Sequence, residues 1–475
     1  MLQNIYKLFI SSFILLTAGY FVYFKNYNYP QKPFWDENYH IASAYKYLNN
    51  IFFLEPHPPL GKLLIALGEK ILHPNDKVNT EYFLKTDYIK KFPKNFKFDG
   101  VRFIPALAGW FNVVLFFLIL YFLTDKIFFS FLGSFLYLFD NALIVHSRAA
   151  MLESIQIFFI LISILIFVYM YKKNKLTYFN YILLGILISL AVMVKLNSLI
   201  IILLYIPLIY KEFLNKNSIS QIILKLITSV ISFLIIVLLI FKIHFLLTKN
   251  IVDNRIYHLN KNEISLFKDN KLNLMKEIKI YFRYIKIYEK GVPKYNPCKK
   301  NENGSLVLTW PLMDKTINYR WHKINEKTQY LYLIGNPIVW LCGLVAVILS
   351  LAMVISRFVY SLPVKKEKFE YIFIFTVLYV SYMIAVLQIE RVMYLYHYFI
   401  PLIFSLILFN LQIEYIFEDE INNKDLYFWS GYVLLILLVI FCWWWFSPFT
   451  YYEYMNMTEF NQRNWFEFWH LKGIY

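Results

Sequence analysis

The chain has 475 residues, of which 59% are hydrophobic, 20% aromatic and only 17% charged, and its mean hydropathy is +0.48. Soluble globular domains are about 45–50% apolar, so this composition excludes an ordinary soluble protein and indicates a polytopic membrane protein. The net charge of +17 does not indicate a nucleic-acid partner, because the basic residues fall mostly in short loops between apolar segments. The three scattered cysteines indicate neither a disulfide framework nor a zinc site.

Eleven apolar segments approach the length of about 20 residues that crosses the hydrocarbon core of a bilayer. They lie at about 8–24, 101–123, 127–147, 150–171, 178–195, 197–210, 221–247, 335–356, 369–388, 394–412 and 427–446. The first segment follows a lysine, as in a signal peptide, but no small-residue cleavage site follows it, so we expect a retained helix. The pattern predicts an all-α integral membrane fold with about 11 transmembrane helices.

Lysine and arginine in the short loops predict the orientation of these helices. With the N terminus in the cytoplasm, the basic loops that contain Lys172, Lys211 and Lys365 are all cytoplasmic. The long loops 25–100 and 248–334 and the C-terminal tail then lie outside the cytoplasm. We therefore expect two large extracytoplasmic loops on the same face.

These loops divide the predicted chain into three parts. The first is an N-terminal membrane region, 1–247, whose first loop carries the candidate catalytic residues. The second is the loop 248–334, and the third is 335–475, with the remaining membrane helices and the tail. Within the first loop, segments 38–49 and 59–72 are amphipathic and too short to span. We expect them to lie at the membrane interface, with Tyr39, Tyr45, Tyr47 and Phe52 in the aromatic belt.

An acidic pair, Asp36 and Glu37, follows Trp35 near the predicted outer end of the first membrane segment. Two adjacent carboxylates do not both ionise easily in a low-dielectric pocket, so one keeps a raised pKa or both are held by cations or hydroxyls. A reaction in which a hydroxyl group attacks needs a base, and a fixed carboxylate suits that role. A solvated loop or a helix cap is the alternative interpretation of the pair.

A rigid elbow follows about twenty residues later, at His57-Pro58-Pro59-Leu60-Gly61-Lys62. Proline restricts the residue before it to an extended backbone, so His57 has a fixed position at the start of a helix. Taken alone, this segment is a turn followed by a snorkelling lysine. Together with the acidic pair at this spacing, it indicates a site.

Other ionisable residues are predicted at the same outer face: Arg102, Arg148, Glu153, Lys195, Arg391 and His397. Basic residues there can hold the phosphate of a lipid-linked substrate, since arginine contacts phosphate through a bidentate fork. The alternative is that they are topology charges with snorkelling side chains. Asp140, Glu153 and Lys195 lie within apolar segments, where an ionisable group usually has a partner or a function.

The order and spacing of these motifs resemble those of the dolichyl- or polyprenyl-phosphate-mannose protein O-mannosyltransferases. The matching stretches are Phe34-Trp35-Asp36-Glu37, His57-Pro58-Pro59-Leu60-Gly61-Lys62-Leu63, Val101-Arg102-Phe103-Ile104-Pro105-Ala106, the region from Asp140 to Ser154, Thr309-Trp310-Pro311-Leu312-Met313, Gly335-Asn336-Pro337-Ile338-Val339-Trp340, and Tyr396-His397-Tyr398-Phe399-Ile400-Pro401. The resemblance implies a GT-C glycosyltransferase. Such an enzyme transfers mannose with inversion from a lipid-phosphate donor to Ser or Thr of a polypeptide.

The resemblance also implies roles for individual residues. Asp36 is expected to be the catalytic base, Glu37 to assist in acceptor or donor binding, and Arg102 to face the donor phosphate. The other residues of the matching regions are expected at the donor phosphate, namely His57, Lys62, Arg148, Lys195, Arg391 and His397, or along the substrate cavity, namely Glu153, Trp310 and Asn336.

Two features depart from the family pattern. Loop 248–334 has no room for the β-trefoil MIR insert that eukaryotic members usually carry, which favours a prokaryotic-type or reduced enzyme and leaves MIR-dependent acceptor choice in doubt. Glu153 stands where the family often has Asp, which adds a methylene and keeps the charge.

The residues leave the substrate and the class of protein open. Related GT-C enzymes move other lipid-linked sugars to lipid or cell-wall acceptors, while a transporter would show internal repeats, which we do not find, and a scaffold would leave the acidic pair unexplained. We expect no metal or other cofactor. The expected partners are polyprenyl-phosphate-mannose, a Ser/Thr-containing polypeptide and the bilayer, with a dimer or translocon association as an option. The expected location is the bacterial plasma membrane with an extracytoplasmic site, or alternatively the ER membrane.

Overall fold

The computed structural model describes residues 2–252, 257, 259–269, 272–299, 302–361 and 363–474, and these are mainly helical. In chain order, the helices are α1 (Leu2–Gly19), α2 (Glu37–Leu48), α3 (Leu60–Leu72), α4 (Glu81–Leu84), α5 (Asp99–Thr124), α6 (Ile127–Gly133), α7 (Phe135–Leu138), α8 (Asn141–Ser147), α9 (Glu153–Lys172), α10 (Tyr178–Val194), α11 (Tyr205–Leu214), α12 (Ile219–Leu246), α13 (Lys261–Lys268), α14 (Leu274–Gly291), α15 (Pro337–Val359), α16 (Lys366–Leu387), α17 (Phe399–Ile416), α18 (Glu418–Asn422), α19 (Leu426–Tyr451) and α20 (Met457–Arg463). A π-helical turn, Tyr20–Phe24, extends α1. Shorter 3₁₀ segments occupy Leu196–Leu204, Val307–Leu312, Leu395–Tyr398 and Glu467–Trp469.

Nine helices in the described part of the chain are long and apolar enough to cross a bilayer: Gln3–Phe24, Asp99–Thr124, Glu153–Lys172, Leu196–Leu214, Ile219–Leu246, Pro337–Val359, Glu367–Leu387, Leu395–Ile416 and Leu426–Tyr451. A bent pair, Ile127–Leu138 with Asn141–Ser147, is a tenth candidate, and Tyr178–Val194 is apolar but only 17 residues long. Each of the eleven predicted segments therefore has a helical counterpart. The predicted multi-pass, mainly helical membrane fold is confirmed.

The third predicted span is not one continuous helix, because the chain bends by 64° between α7 and α8. Asp140 lies at the bend and caps α8, accepting a hydrogen bond from the backbone of Leu143 at 2.9 Å. Its other oxygen accepts from the backbone of Asn336 at 3.0 Å and from the indole of Trp340 at 2.8 Å. A buried carboxylate needs such donors, and the free N–H groups of a new helix supply one of them.

The predicted cytoplasmic loops lie together on one face of the bundle. Lys172 contacts Asp125 at 2.6 Å, Tyr171 donates to Glu370 at 2.8 Å, and Lys368 contacts Glu414 at 2.5 Å. These contacts join the ends of α5, α9, α16 and α17. The opposite ends of these helices therefore face the two long loops.

The helices α2 and α3 agree with the two predicted amphipathic segments, but the aromatic belt predicted for this region is wrong for three of its four residues, since only Tyr39 is exposed. Tyr45, Tyr47 and Phe52 are buried in the packing of the first loop. Tyr45 donates to Glu69 at 2.8 Å, and the Tyr47 hydroxyl lies 2.7 Å from Nδ1 of His244. Tyrosine is readily buried where its hydroxyl finds a partner, and α3 and α12 supply these partners.

A small antiparallel sheet, which the all-α prediction did not include, lies at the same end as the long loops. It has the order β1-β2-β3, with β1 at Ile317–Ile324, β2 at Lys327–Leu333 and β3 at Tyr454–Met455. The pairing slips by one residue between Asn318 and Arg320. A bulge of this kind redirects a side chain, and here Tyr319 points into the core.

Candidate active site

Asp36 precedes α2 and has no hydrogen-bond partner for its carboxylate among the described residues. Trp35, just before it, has a φ of 52°, a left-handed conformation that costs a non-glycine residue roughly 1–3 kcal/mol. Packing holds this conformation, since the indole ring lies 5.2 Å from the ring of Tyr394 and 5.4 Å from that of Tyr319. The aromatic cluster therefore fixes the direction of Asp36.

The surroundings of Asp36 favour its protonated form. Burial raises the pKa of Asp36 to about 6, and the carboxylate of Glu153 adds to this effect, while Lys195, His146 and Lys62 act in the opposite direction. A carboxyl group with such a pKa is still mainly ionised at neutral pH, yet it accepts a proton more readily than an ordinary aspartate. Asp36 is thus suited to act as a general base.

Glu37 is completely buried and forms an ion pair with Arg102. The guanidinium donates from Nε and Nη2 to the two carboxylate oxygens, each at 2.7 Å. The backbone N–H groups of Ala150 and Phe34 donate to the same carboxylate at 2.8 and 3.1 Å. This bidentate, fully hydrogen-bonded pair joins the first loop to α5 and to the start of α9.

Arg102 uses its remaining N–H groups on the backbone of the first loop. It donates to the carbonyl oxygens of Asn28, Pro30 and Lys32 at 2.7–2.8 Å. With every donor direction occupied, the guanidinium has none left for a phosphate. The predicted contacts of Arg102 with the donor phosphate and of Glu37 with substrate are therefore not supported. Both residues instead shape the loop that carries Asp36.

Glu153 lies at the centre of a buried chain of polar contacts. One of its oxygens contacts Nζ of Lys195 at 2.6 Å, and the other lies 2.7 Å from Nε2 of His146. Nδ1 of His146 in turn lies 2.6 Å from the hydroxyl of Tyr319. The bulged strand β1 thus supports the imidazole, the imidazole orients Glu153, and Glu153 orients Lys195.

Two more predicted residues come from the segment before α17. The guanidinium of Arg391 has no carboxylate or hydrogen-bond partner within the described residues, although its backbone forms a β-bridge with Lys294. Nδ1 of His397 lies 2.9 Å from the carbonyl oxygen of Tyr394, and the His397 ring stacks on Trp310 with 6.2 Å between centroids. Arg391 is therefore the cation most available to an anionic ligand.

The start of α3 contributes a third group of residues. Lys62 is buried and forms an ion pair with Glu55, which also accepts a hydrogen bond from Ser43. The carbonyl oxygen of His57 accepts a hydrogen bond from Tyr281 at 2.5 Å. The elbow predicted from the two prolines is therefore tied to α14.

One cavity of about 530 Å³, a size typical of small-molecule sites, is lined by residues from each of these segments. Seven predicted site residues line it: Asp36, His57, Lys62, Glu153, Lys195, Arg391 and His397. Its other lining residues include His40 and Glu55, which the sequence did not single out. The described residues include no group of three or more His, Cys, Asp or Glu placed to hold a metal ion. The carboxylate of Asp36 thus shares this space with Arg391 and with the ion-paired Lys62 and Lys195.

Two protein-family models match the sequence of this chain. The family model described as dolichyl-phosphate-mannose-protein mannosyltransferase matches residues 13–257, just over half of the chain. The model described as the C-terminal four TMM region of protein-O-mannosyltransferase matches residues 290–469. The chain belongs to the protein O-mannosyltransferase family. The resemblance drawn from the motifs is confirmed.

Curated relatives are similar over only part of their length. Protein O-mannosyl-transferase 1 of Danio rerio is 31% identical over 173 residues, which are 36% of this chain and 23% of the relative. Dolichyl-phosphate-mannose--protein mannosyltransferase 1 of Candida albicans is 30% identical over 162 residues, which are 34% of this chain and 17% of the relative. The match therefore spans less than a quarter of each of these family members.

Solved structures extend the similarity of fold to nearly the whole chain. The Saccharomyces cerevisiae protein O-mannosyltransferase Pmt1-Pmt2 complex bound to the sugar donor has a TM-score of 0.80 at 12% identity, covering 98% of this chain and 92% of the other. The Archaeoglobus fulgidus oligosaccharyltransferase has a TM-score of 0.51 at 12% identity, covering 98% and 57%. The predicted GT-C fold is confirmed.

Besides Glu37 and Arg102, three further predicted site residues do not line the cavity, although they belong to family motifs. Arg148 donates to the carbonyl oxygens of Lys25 and Asn26 at 2.9 and 2.6 Å, and it borders a separate cavity of about 740 Å³. Trp310 is buried and donates to Ser305 at 2.7 Å. Its influence on the site passes through the stacked His397. The predicted phosphate contact of Arg148 and substrate contact of Trp310 are not supported by these positions.

Asn336 is the third of these residues and has a structural position. It caps α15, and its amide donates to the carbonyl oxygens of Phe139 and Val439 at 3.0 and 2.8 Å. Together with Asp140 it fastens the bend before α8 to α15 and α19. The Gly-Asn-Pro motif therefore builds the fold rather than lining the substrate cavity.

Sequence reasoning missed His146, Tyr319, His40 and Glu55. His146 and Glu55 lie inside or beside stretches that match the family, so their polar character within apolar surroundings was a usable signal. Tyr319 offered no such signal, because it reaches the site through a strand bulge and its partner His146 lies 173 residues earlier in the chain.

Proposed function

We propose that this chain transfers mannose from a polyprenyl- or dolichyl-phosphate-mannose donor to Ser or Thr hydroxyls of a polypeptide, with inversion at the anomeric carbon. The observation that carries the proposal is the shared cavity, where the unpaired carboxylate of Asp36 faces the cations Lys195 and Arg391. A hydroxyl acceptor needs a base, and a phosphate leaving group needs positive charge. Both requirements meet in this one space.

In the proposed reaction, the acceptor oxygen attacks the anomeric carbon while Asp36 takes the hydroxyl proton. The bond between the anomeric carbon and the phosphate oxygen breaks, and its electron pair stays on the phosphate. Arg391 and Lys195 stabilise the negative charge that develops there. Glu153 holds Lys195 at 2.6 Å and so keeps the ammonium in place before the donor binds.

The test is mannose transfer by purified full-length protein from polyprenyl-phosphate-[³H]mannose to a Ser/Thr-rich peptide. We expect the substitution Asp36→Asn to lower kcat by about 10²- to 10⁴-fold, as expected for loss of a general base, while donor binding persists. The matched control is Asp76→Asn, since the side chain of Asp76 is 69% exposed in the same loop.

The outcomes separate the alternatives. Equal transfer by wild type and Asp36→Asn would overturn the role of Asp36. No transfer by wild type, with transfer of another lipid-linked sugar or to a lipid acceptor, would establish the related GT-C activity instead. Binding and movement of the lipid without transfer would identify a transporter.

The same proposal extends to cofactor, location and assembly. We propose catalysis without a metal ion, so transfer should persist in EDTA. The membrane is proposed to be the bacterial plasma membrane, or alternatively the ER membrane, with Asp36 on the non-cytoplasmic face; protease protection of a tag in loop 25–100 tests this orientation. The yeast neighbour is described as a complex of two proteins, and we propose a dimeric working form that the native mass of the purified protein would show.

A further inference from the structure

A second cavity, of about 620 Å³, lies at the end of α12 that meets the second long loop. The rings of Phe241 and Tyr281, 5.2 Å apart, pack α14 against this end of α12. The residues that line the cavity come from α12, α13 and α14 and the segments beside them: Lys242, Phe245, Leu246, Lys249, Phe267, Leu272, Leu274 and Glu277. None of them lines the cavity of Asp36, so this is a separate candidate site.

The lysines of this cavity lie at the level of the membrane surface. Lys242 lies 23 residues beyond Ile219, where α12 begins, which is about 35 Å along the helix axis. The hydrocarbon core of a bilayer is about 30 Å thick, so Lys242 reaches the headgroup layer. Lys249 follows just after the helix ends. Both ammonium groups are therefore at the depth of lipid phosphates.

Neither lysine has a counter-ion among the described residues. Lys225, the other lysine of α12, is buried and contacts Glu212 at 2.8 Å. Lys242 and Lys249 are exposed and have no such acidic partner. The preference for lysine in short cytoplasmic loops does not explain this pair, which lies at the opposite end of α12 from the basic short loop. Two unpaired ammonium groups in one cavity are suited to bind a phosphate.

Glu277 adds a group of opposite charge to the same cavity. Its side chain is half-buried in the first turn of α14 and has no hydrogen-bond or ion-pair partner in the described part of the chain. Burial raises the pKa of Glu277 to about 7, and neither lysine of the cavity offsets this effect. A cation beside the carboxylate would stabilise its ionised form. A ligand with both a phosphate and an ammonium group therefore complements all three charged residues.

The face of α12 that carries Lys242 continues into the bilayer as an apolar strip. The side chains three, four and seven positions before Lys242 lie on the same face of the helix. They are Leu239, Leu238 and Ile235, and all three are exposed. A soluble phosphate compound would leave this strip without a contact. A phospholipid instead places its headgroup at the lysines and an acyl chain along the strip.

We infer that this cavity binds a phospholipid whose headgroup carries a primary amine, as phosphatidylethanolamine does. Lys242 and Lys249 bind the phosphate, Glu277 binds the ammonium group, and the apolar strip of α12 contacts an acyl chain. The inference does not depend on which sugar the protein transfers, because it uses no residue of the cavity of Asp36. The bound lipid would hold the start of α14, the helix whose Tyr281 donates to the carbonyl oxygen of His57.

The experiment measures lipid binding by full-length protein that has been depleted of lipid in detergent. Native mass spectrometry gives the Kd of palmitoyl-oleoyl phosphatidylethanolamine and of the matching phosphatidylglycerol, which has no amine. We expect Glu277→Gln to weaken binding of phosphatidylethanolamine about tenfold, equivalent to about 1.4 kcal/mol, and to change binding of phosphatidylglycerol less than twofold. Lys242→Gln should weaken both lipids about tenfold. Glu289→Gln and Lys290→Gln, exposed near the other end of α14, are the matched controls.

Three outcomes would overturn the inference. Equal binding of the two lipids, with no effect of Glu277→Gln, would show a site for anions without selection of an amine. Binding of phosphatidylethanolamine that persists unchanged in both Lys242→Gln and Lys249→Gln would place the lipid elsewhere. Competition by glycerophosphoethanolamine at the same concentration as the lipid would show that the acyl chain is not recognised. If Lys242→Gln does not fold, Lys249→Gln tests the same phosphate contact.

Discussion

Replacing Asp36 by Asn should stabilise the protein while it removes activity. Folding raises the pKa of Asp36 from 3.8 to about 6, mainly through burial. Each pKa unit corresponds to 1.36 kcal/mol, so the ionised carboxylate costs about 3 kcal/mol of stability at neutral pH. Asparagine has nearly the same shape and no charge to desolvate, and it avoids this cost.

The raised pKa of Asp36 also predicts how the stability of the wild type changes with pH. Between pH 3.8 and about 6 the folded state binds more protons at Asp36 than the unfolded state does. Stability of the wild type therefore falls as the pH rises through this window and stays lower above it. The asparagine of the variant does not titrate, so the difference in stability between variant and wild type should open between about pH 4 and pH 6.

Thermal unfolding of the purified proteins, followed by tryptophan fluorescence in one detergent, measures this difference. At pH 7.5 we expect the Tm of Asp36→Asn to exceed that of the wild type by a few degrees, and at pH 4.5 only about one third of this difference should remain. Asp76→Asn, which is exposed, should show no such pattern. A variant that is less stable at pH 7.5, or a difference that does not depend on pH, would refute the reasoning.

Three further predictions concern the same region. The kcat/KM of mannose transfer should fall about tenfold per pH unit below pH 6, because Asp36 must be ionised to accept a proton; a flat profile from pH 5 to 7 would contradict this. Arg102→Lys should lower the free energy of unfolding by about 3–5 kcal/mol, because a lysine cannot replace the planar guanidinium that pairs with a buried carboxylate and contacts three carbonyl oxygens. Arg463→Lys, which is partly exposed, should lose far less stability in the same unfolding assay. Gly100→Ala should lower the yield of folded protein, because its Cβ would lie 2.7 Å from Cα of Glu69, whereas Gly431→Ala meets nothing within 4 Å; equal yields of monodisperse protein would refute the close packing.

The sequence predicted where the site lies better than what each residue does there. Charged residues at the ends of apolar segments are restricted to one face, and this restriction brought Asp36, Glu153, Lys195 and Arg391 into one cavity. Side-chain direction is not restricted in the same way. Arg102 and Arg148 lie at the predicted depth, yet their guanidinium groups donate hydrogen bonds to backbone carbonyl oxygens of the first loop and do not line the cavity.

The fold shows the same division between what periodicity predicts and what tertiary contacts decide. Apolar length identified each membrane segment, but it did not predict the bend at Asp140, which depends on donors from Asn336 and Trp340 about two hundred residues away. It also did not predict Tyr319 at the site. Motif matching identified Asn336 and Trp310 without indicating that they support the site from outside the cavity.

The contacts of Glu37 have a consequence for synthesis of the protein. Its carboxylate accepts hydrogen bonds from Arg102 and from the backbone of Ala150, 113 residues further along the chain. Arg391 reaches the cavity of the neighbouring Asp36 only from the last quarter of the sequence. During synthesis the helices enter the membrane in chain order, so the first loop is present before these partners have been made. A nascent chain therefore carries Asp36 long before the residues that line its cavity have all been made, and we expect the proposed activity only after the final helices have been inserted.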